Sequence, residues 1–520
     1  MMRYGFAVGA LLASLSMTSY SQALAPGRMP RIASVNDRFQ SYNVEMVEVT
    51  GGRFWKPYKD AGRADSKSQP SSGAPAGMNP NLFQYRPPID LTNARLRKLA
   101  VALGPAYVRV SGTWANTTYF HDSDAPAPDA PPPGFNGVLT RPEWKGVVDF
   151  AHAVNAGIVT SFATSAGTRD EAGLWTPTQA QRFLAYTKSI GGTISAAEFM
   201  NEPTIAGMGG APKGYDAAAY ARDVAVFRPF ISKAAPRLIF LGPGSVAEGG
   251  PVRAPSMPGL ITSEALLKAT GPVFDAFSYH LYPAVSKRCA GMASAMQVTA
   301  ADALSPEFFS RADKINEFYS ALRDRFEPGK PLWITETADA ACGGNPWGST
   351  FLDVFRYLDE YGRLAQRGVQ VIMHNTLASS DYGLLDENTF RPRPDYWAAL
   401  LWRKLMGTTV LDPGAAPAAN VYLYAHCLRE HRGGVALLAI NADTKTSSEI
   451  ELPTAAMRYT LSSPQLEGED VQLNGTTLNL GAGDALPPLE GVRIPTGRLT
   501  LAPATVTFLA IPDAGNASCR

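Results

Sequence analysis

Between residues 40 and 400 the chain alternates short, almost wholly apolar runs with segments whose apolar positions recur every three or four residues. The runs are SYNVEMVEV (41–49), AYVRVSG (106–112), AGIVTSFAT (156–164), ISAAEFMNE (194–202), RLIFLGPGS (237–245), FDAFSYHLY (274–282), PLWITET (331–337) and VQVIMHNTL (369–377). Their near-continuity is the pattern of strands buried on both faces of a parallel sheet. Between them DLTNARLRKLAVAL, RPEWKGVVDFAHAVN, PTQAQRFLAYTKSI and TFLDVFRYLDEYGRLAQ carry helical periodicity. Thr176 as N-cap with Pro177 as first helical residue predicts where the third of these begins. Eight such alternations predict an α/β fold, a (β/α)8 TIM barrel over 40–400. A doubly wound open sheet is the alternative. No glycine-rich nucleotide fingerprint follows the first run, which counts against it. Loops 59–90 and 121–137, the latter reading HDSDAPAPDAPPPGFNG, follow strands on the face where barrels build active sites.

After residue 405 the pattern shifts to short strands separated by turn residues: VYLYAHCLRE, GVALLAINA, SSEIELP, MRYTLSS, VQLNGTTLNLG and TVTFLAIP. This predicts a C-terminal β-sandwich over 401–520, which the segment 26–39 would join. At the N-terminus, Arg3, the apolar FAVGALLASLSM and the small residues of SQALA predict a cleaved export signal over 1–25. The expected location is therefore secreted or periplasmic. No other stretch reaches the ~18 uninterrupted apolar residues of a membrane span, so no membrane association is expected. Four cysteines, Cys289, Cys342, Cys427 and Cys519, allow three pairings. The domain assignment favours Cys289–Cys342 within the barrel and Cys427–Cys519 within the sandwich.

Composition adds limits. Hydrophobic residues are 45% and charged residues 18%, as in a globular chain, and the formal net charge of +1 offers no global attraction to nucleic acid. A monomer is expected.

In a barrel, residues at the C-terminal strand ends face the active site. That rule selects Asn201 and Glu202 on the fourth strand, His280 and Tyr282 on the sixth and Glu336 on the seventh. Two carboxylates converging on one pocket suit glycoside hydrolysis, in which one protonates the leaving oxygen and the other attacks the anomeric carbon. Glu198, deeper on the fourth strand, is expected to be a buried support. Neither metal nor cofactor is called for, because two carboxylates suffice.

EFMNEP (198–203), PLWITETADAACGG (331–344), SYHLYP (278–283), YVRVSGTWANTTYF (107–120) and above all SSDYGLLDENTFRPRPDYWAALLWRKLMGTTVL (379–411) resemble the heparanase-like enzymes of glycoside hydrolase family 79. The resemblance spans about 40–520. It implies Glu202 as acid/base, Glu336 as nucleophile, and Asn201 on the sugar 2-hydroxyl. Tyr282 would orient the nucleophile and His280 would line the pocket. Tyr382 and the Ser380 amide would bind the glucuronate carboxylate, and Glu45, in the first strand, and Thr113 would contact the sugar. Val47 and Ser380 stand where mammalian members have Asn and Gly. The long linker excised from mammalian members is replaced here by the short proline-rich stretch, so a single-chain enzyme is expected. The implied activity is a retaining endo-β-glucuronidase acting on a heparan sulfate-type polysaccharide. The alternatives are an exo-β-glucuronidase releasing terminal glucuronate, a barrel hydrolase for neutral sugars, and a catalytically inactive carbohydrate-binding protein.

Overall fold

The computed structural model describes residues 22–61, 75, 77–250, 259–291 and 293–520. Eight parallel strands close into a barrel: β1 (Gln40–Asn43), β2 (Ala106–Val110), β3 (Ala156–Ser161), β4 (Ile194–Glu198), β5 (Ile239–Ser245), β6 (Ala276–Leu281), β7 (Leu332–Thr337) and β8 (Val371–His374). Each neighbours the next in sequence, and β8 returns to β1 through Ile372 opposite Gln40. A helix follows each strand: α1 (Ala94–Leu103), α2 (Arg141–Ala153), α3 (Thr178–Ser189), α4 (Ala217–Ala234), α5 (Ser263–Thr270), α6 (Pro306–Phe326), α7 (Phe351–Gln366) and α8 (Pro394–Leu405). Local chemistry starts several of them. Thr140 and Glu143 form a reciprocal capping box at α2, and the Asn93 side chain accepts from the Leu96 N–H at α1.

Three expectations shift. The first strand stops at Asn43, and Met46–Thr50 forms a short helix in place of its predicted continuation. Glu45 is therefore that helix's N-cap, not a strand residue, and Glu48 accepts from its N–H at 2.8 Å. The fourth strand ends at Glu198, four residues before Glu202. At α3, Pro177 itself occupies the N-cap position, because the Thr176 hydroxyl donates to the Thr168 carbonyl at 2.9 Å.

The floor of the barrel is apolar. Tyr107, Val159, Ala196, Leu241, Trp333 and Met373 form one buried cluster, in which the Tyr107 and Trp333 rings lie 5.1 Å apart. Strand alternation places Arg109 one pleat above Tyr107 and Glu198 one pleat above Ala196. The interior thus changes from apolar to charged within one layer. β7 carries an extra residue against β6: Ile334 pairs Tyr279, but Glu336 pairs His280. Such a bulge re-aims side chains. Here the consecutive Thr335 and Glu336 both reach interior partners, Glu198 and Arg109.

The C-terminal region is a sandwich of a nine-stranded sheet and a three-stranded one. Leu437, Ala439, Leu509 and Ile511 pack with Ile450, Leu452, Leu499 and Leu501 between the sheets. The larger sheet's other face lies on the barrel, where Tyr424 covers Gly362 of α7 and donates to Asp359 at 2.5 Å. Only glycine fits there, since a Cβ on residue 362 would sit 2.2 Å from the ring. The N-terminal segment contributes Arg31–Ser34, paired with Met406–Leu411, and Gln22–Ala23, paired with Ile450 and Glu451. Most of the expected export signal, residues 1–21, lies outside the described residues. Its expected end does not: Gln22–Ala23 pairs with the small sheet, and Leu24 is buried in the sandwich core. Cys289–Cys342 and Cys427–Cys519 are the two disulfides. Among the described residues no helix is long and apolar enough to cross a membrane.

Candidate active site

The cleft at the C-terminal mouth of the barrel is lined by Glu45, Trp55, Thr113, Trp114, Glu202, His280, Tyr282, Glu336, Asn375 and Tyr382, among others. Its centre is a charged network around Arg109, which is fully buried. Arg109 donates to Glu336 at 2.9 Å, to Glu198 at 2.9 Å and to Asn201 at 2.7 Å. Burial disfavours its charge, but Glu198, Glu336 and Glu45 outweigh this and raise its pKa.

Glu198 lies under the site. It accepts from Ser278 at 2.8 Å, from Thr335 at 2.7 Å and from Arg109, and it has no exposure. Burial pushes its carboxyl up, yet Arg109, His280 and these donors hold it below the usual range. Glu198 is thus a fixed anion beneath the cleft.

Glu202 lies above it in a different environment. Its backbone is left-handed, at φ 51° and ψ 59°, a costly conformation for a residue with a side chain. The preceding residue is clamped to hold it. The Asn116 side chain donates to the Asn201 carbonyl and accepts from the Asn201 N–H, both at 2.9 Å. Burial, as the leading cause, raises the Glu202 pKa above the ordinary value, Glu336 adds to this, and His280 opposes it.

Glu336 accepts from Tyr282 Oη at 2.5 Å on one oxygen and from Arg109 on the other. His280 Nδ1 lies 3.0 Å from Glu202 and 3.6 Å from Glu336. Burial would lower the His280 pKa, but Glu336 and the Glu202 contact raise it. A carboxylate oxygen of Glu202 and one of Glu336 lie within 4.8 Å of each other. With His280 these atoms have the spacing of a cation site, but the adjoining Arg109 already supplies positive charge there.

The remaining expected residues divide. Thr113, Glu45 and Tyr382 line the cleft. Gly112 makes room for Glu45: its φ is 87°, and a Cβ would lie 1.5 Å from Glu45 Oε2. Tyr382 Oη accepts from Asn375 Nδ2 at 3.3 Å, and burial first, then Glu45 and Glu336, keep it protonated and able to donate. Ser380 does not reach the cleft. It is fully buried, and its N–H is engaged by Glu387 at 3.1 Å, which corrects the expectation that this amide faces a substrate. Val47 is also turned away, packed against Phe54, Phe83, Trp114 and Ala338.

Sequence reasoning missed Arg109, Asn116 and Asn375. Arg109 was visible as the one charge inside the apolar run AYVRV, and Asn375 as a strand-end residue in VQVIMHNTL. Nothing local marked Asn116.

The family described as glycosyl hydrolase family 79, N-terminal domain, matches residues 88–362. Heparanase-like protein 1 of Arabidopsis thaliana is 26% identical over 83% of this chain and 86% of its own length. Baicalin-beta-D-glucuronidase of Scutellaria baicalensis is 33% identical over 40% of this chain and 41% of its own. Among solved structures, a 4-O-alpha-L-rhamnosyl-beta-D-glucuronidase from Fusarium oxysporum 12S has a TM-score of 0.60 at 13% identity, covering 94% of this chain and all of that one, a likeness of fold.

Proposed function

Because this chain belongs to glycosyl hydrolase family 79 and is a glycoside hydrolase, we propose that it cleaves β-glucuronidic linkages with retention, using Glu202 as acid/base and Glu336 as nucleophile. The observation that carries this reading is that one oxygen of Glu202 and one of Glu336 lie within 4.8 Å of each other, with the two carboxyl groups held in unlike environments. Retaining enzymes need a separation of about 5–5.5 Å, whereas inverting ones leave room for a water at about 6.5–9.5 Å.

Each residue then has a task. Glu336, paired with Arg109 and hydrogen-bonded by Tyr282, attacks the anomeric carbon as the glycosidic C–O bond breaks. Glu202, whose burial favours the protonated form, gives its proton to the leaving oxygen. It then takes one from the water that hydrolyses the glycosyl ester, so that both carboxyl groups are regenerated. Asn201, fixed by Arg109 and Asn116, meets the sugar 2-hydroxyl. Tyr382 donates to the glucuronate carboxylate, while Glu45 and Thr113 contact its hydroxyls.

The relative named heparanase-like supports a polysaccharide cut internally, and the relative named for baicalin supports release of glucuronate from a small glucuronide. The two disulfides suit an oxidising compartment, and we place the protein outside the cytoplasm. Proton NMR of an aryl β-glucuronide digest tests the mechanism. The first-formed glucuronate is expected to be the β anomer, and the α anomer would overturn the assignment. Heparan sulfate losing chain length without free glucuronate would establish the endo reading.

A further inference from the structure

The loops after β6, β7 and β8 are stitched into one wall of the cleft. Gly343, in the loop after β7, accepts through its carbonyl from the Ser380 hydroxyl at 2.9 Å and from the Asp381 N–H at 3.2 Å. Both donors belong to the loop that carries Tyr382. The next carbonyl, that of Gly344, accepts from Ser286 Oγ in the loop after β6 at 2.5 Å. That donation uses the serine's one hydrogen. The Tyr58 hydroxyl therefore donates to Ser286 Oγ at 2.8 Å, and it accepts from the Arg288 N–H at 2.9 Å. Asp381 closes the knot, accepting from Arg288 Nη2 at 2.5 Å and from the Tyr58 N–H at 3.1 Å. The Arg288 guanidinium also stands over the Tyr58 ring, 4.1 Å from its centre.

The wall turns on three consecutive left-handed residues, Cys342, Gly343 and Gly344, at φ 67°, 83° and 84°. Glycine adopts this backbone freely, whereas a residue with a Cβ does not. Such a conformation persists where its surroundings over-determine it. Cys342 is tied by its disulfide to Cys289, the residue after Arg288. Gly343 has little room to shift: a Cβ there would lie 2.6 Å from Trp55 Cβ and 2.8 Å from Ser380 Oγ. Cys342 is half-buried and lines the cleft, while Cys289 is 4% exposed. The bond is therefore approached from the cleft, on the Cys342 side.

We propose that Cys342 is a positioning residue for glucuronate recognition and that its disulfide is a reducible switch. The bond holds residue 342 in the left-handed conformation that presents the Gly343 carbonyl to the Tyr382 loop. A small thiol entering the cleft releases it. Its thiolate attacks Cys342 Sγ, the Cys342–Cys289 bond breaks, and Cys289 leaves as the thiolate. A second thiol then attacks the mixed disulfide and frees Cys342. Two thiols are oxidised to one disulfide, and the protein disulfide is reduced to two cysteines. Cys342 then relaxes toward negative φ, Gly343 turns with it, and Ser380 and Asp381 lose their common acceptor. The Arg109–Glu336 contact joins β2 to β7 outside this wall and survives. The inference rests on the glucuronidase reading, in which Tyr382 meets the glucuronate carboxylate.

The test measures kcat and KM of the full-length enzyme on an aryl β-glucuronide, before and after dithiothreitol, with the freed cysteines counted by alkylation and mass. Reduction should raise KM about five- to tenfold, as expected when a left-handed residue with a Cβ is no longer held, and change kcat less. Reoxidation should restore the parent KM. Added glucuronate should slow the appearance of free Cys342. Cys289→Ser with Cys342→Ala should show the raised KM without reductant. Cys289→Ser with Cys342→Gly, which adopts the left-handed backbone freely, should keep the parent KM and ignore dithiothreitol. Equal KM in the two double variants would overturn the proposal, as would a bond that stays closed under excess dithiothreitol. So would a loss of kcat with KM unmoved. A response to dithiothreitol in the glycine variant would assign the effect to Cys427–Cys519 and overturn it too. If Tyr382→Phe lowers kcat/KM on glucuronides but reduction leaves KM unchanged, this inference alone fails. If Tyr382→Phe changes nothing, the recognition reading fails, and this inference with it.

Discussion

Arg109 and Glu336 meet inside the barrel, the guanidinium donating to the carboxylate at 2.9 Å with both side chains buried. The same guanidinium holds Glu198 and Asn201, so one residue of β2 sets the ends of β4 and β7 together. Two carboxylates in one desolvated pocket repel each other, and a cation with several fixed donors is a direct way to keep them close and oriented.

Replacing Arg109 by Met should therefore do more than lower activity. It would leave Glu198 and Glu336 buried without their cation, which costs about 3–5 kcal/mol of stability. Chemical denaturation checks this. A midpoint unchanged from the parent protein would mean that the network is relaxed by water rather than held by Arg109.

Asn116 touches the cleft machinery only through the backbone of Asn201. Asn116→Ala should orphan two buried backbone groups, at about 1–3 kcal/mol each, and release the left-handed turn that aims Glu202. We expect kcat to fall about 10- to 100-fold with a smaller change in KM, since the Asn201 contact to the 2-hydroxyl strengthens in the transition state while the other proposed sugar contacts remain. Steady-state kinetics would show the reverse split if Asn116 acted on binding.

His280 lowers the pKa of Glu202 by a hydrogen bond and by its charge, against the larger raising effect of burial. As the proposed acid, Glu202 must be protonated to act, so activity would be present below its pKa and lost as pH rises through it. His280→Leu removes the lowering influence, and the basic limb of the kcat/KM profile should move to higher pH. A limb that stays put, or moves down, would show that Glu202 does not govern it.

Tyr382→Phe deletes a hydroxyl at the sugar side of the cleft while keeping the ring among Trp114, Phe54 and Phe83. One hydrogen bond to an anion is worth about 1.5–3 kcal/mol, so kcat/KM on glucuronides should drop about 10- to 100-fold. The corresponding glucosides should be unaffected. Equal losses on both would place the hydroxyl on a neutral part of the sugar.

Much of the fold was legible because buried parallel strands and amphipathic helices leave strong periodic signatures. All eight barrel strands overlap the predicted runs, the first beginning one residue early at Gln40, and each is shorter than its run. VEMVEV reads as strand but folds as a helical turn, because Glu45 and Glu48 cap each other's backbone. The strand Gly497–Leu501, in the small sheet of the sandwich, passed unnoticed because alternating GRLTL lacks the apolar density of its neighbours.

The site was legible where residues stand at strand ends and opaque where they meet across the barrel. Counting strands picked out Glu202, His280, Tyr282 and Glu336, which line one cleft, although Glu202 stands four residues beyond its strand. It could not find the Asn116 clamp, 85 residues from Asn201 in sequence. The family resemblance aimed the Ser380 amide at a substrate, whereas Glu387, seven residues on, accepts from it.

The sequence by itself determined the barrel, the appended sandwich and the two carboxylates, because periodicity and strand order are local properties of the chain. Only the tertiary structure shows why the two glutamates of EFMNEP differ: the Glu198 pKa is held below its ordinary value and that of Glu202 is raised above it. Glu198 and Glu202 are four residues apart in one short stretch. Their difference comes from Arg109, Ser278 and Thr335 surrounding the first, and from burial beside His280 at the second. Those partners come from β2, β6 and β7, and a carboxyl's pKa follows its neighbours in space rather than its position in the chain.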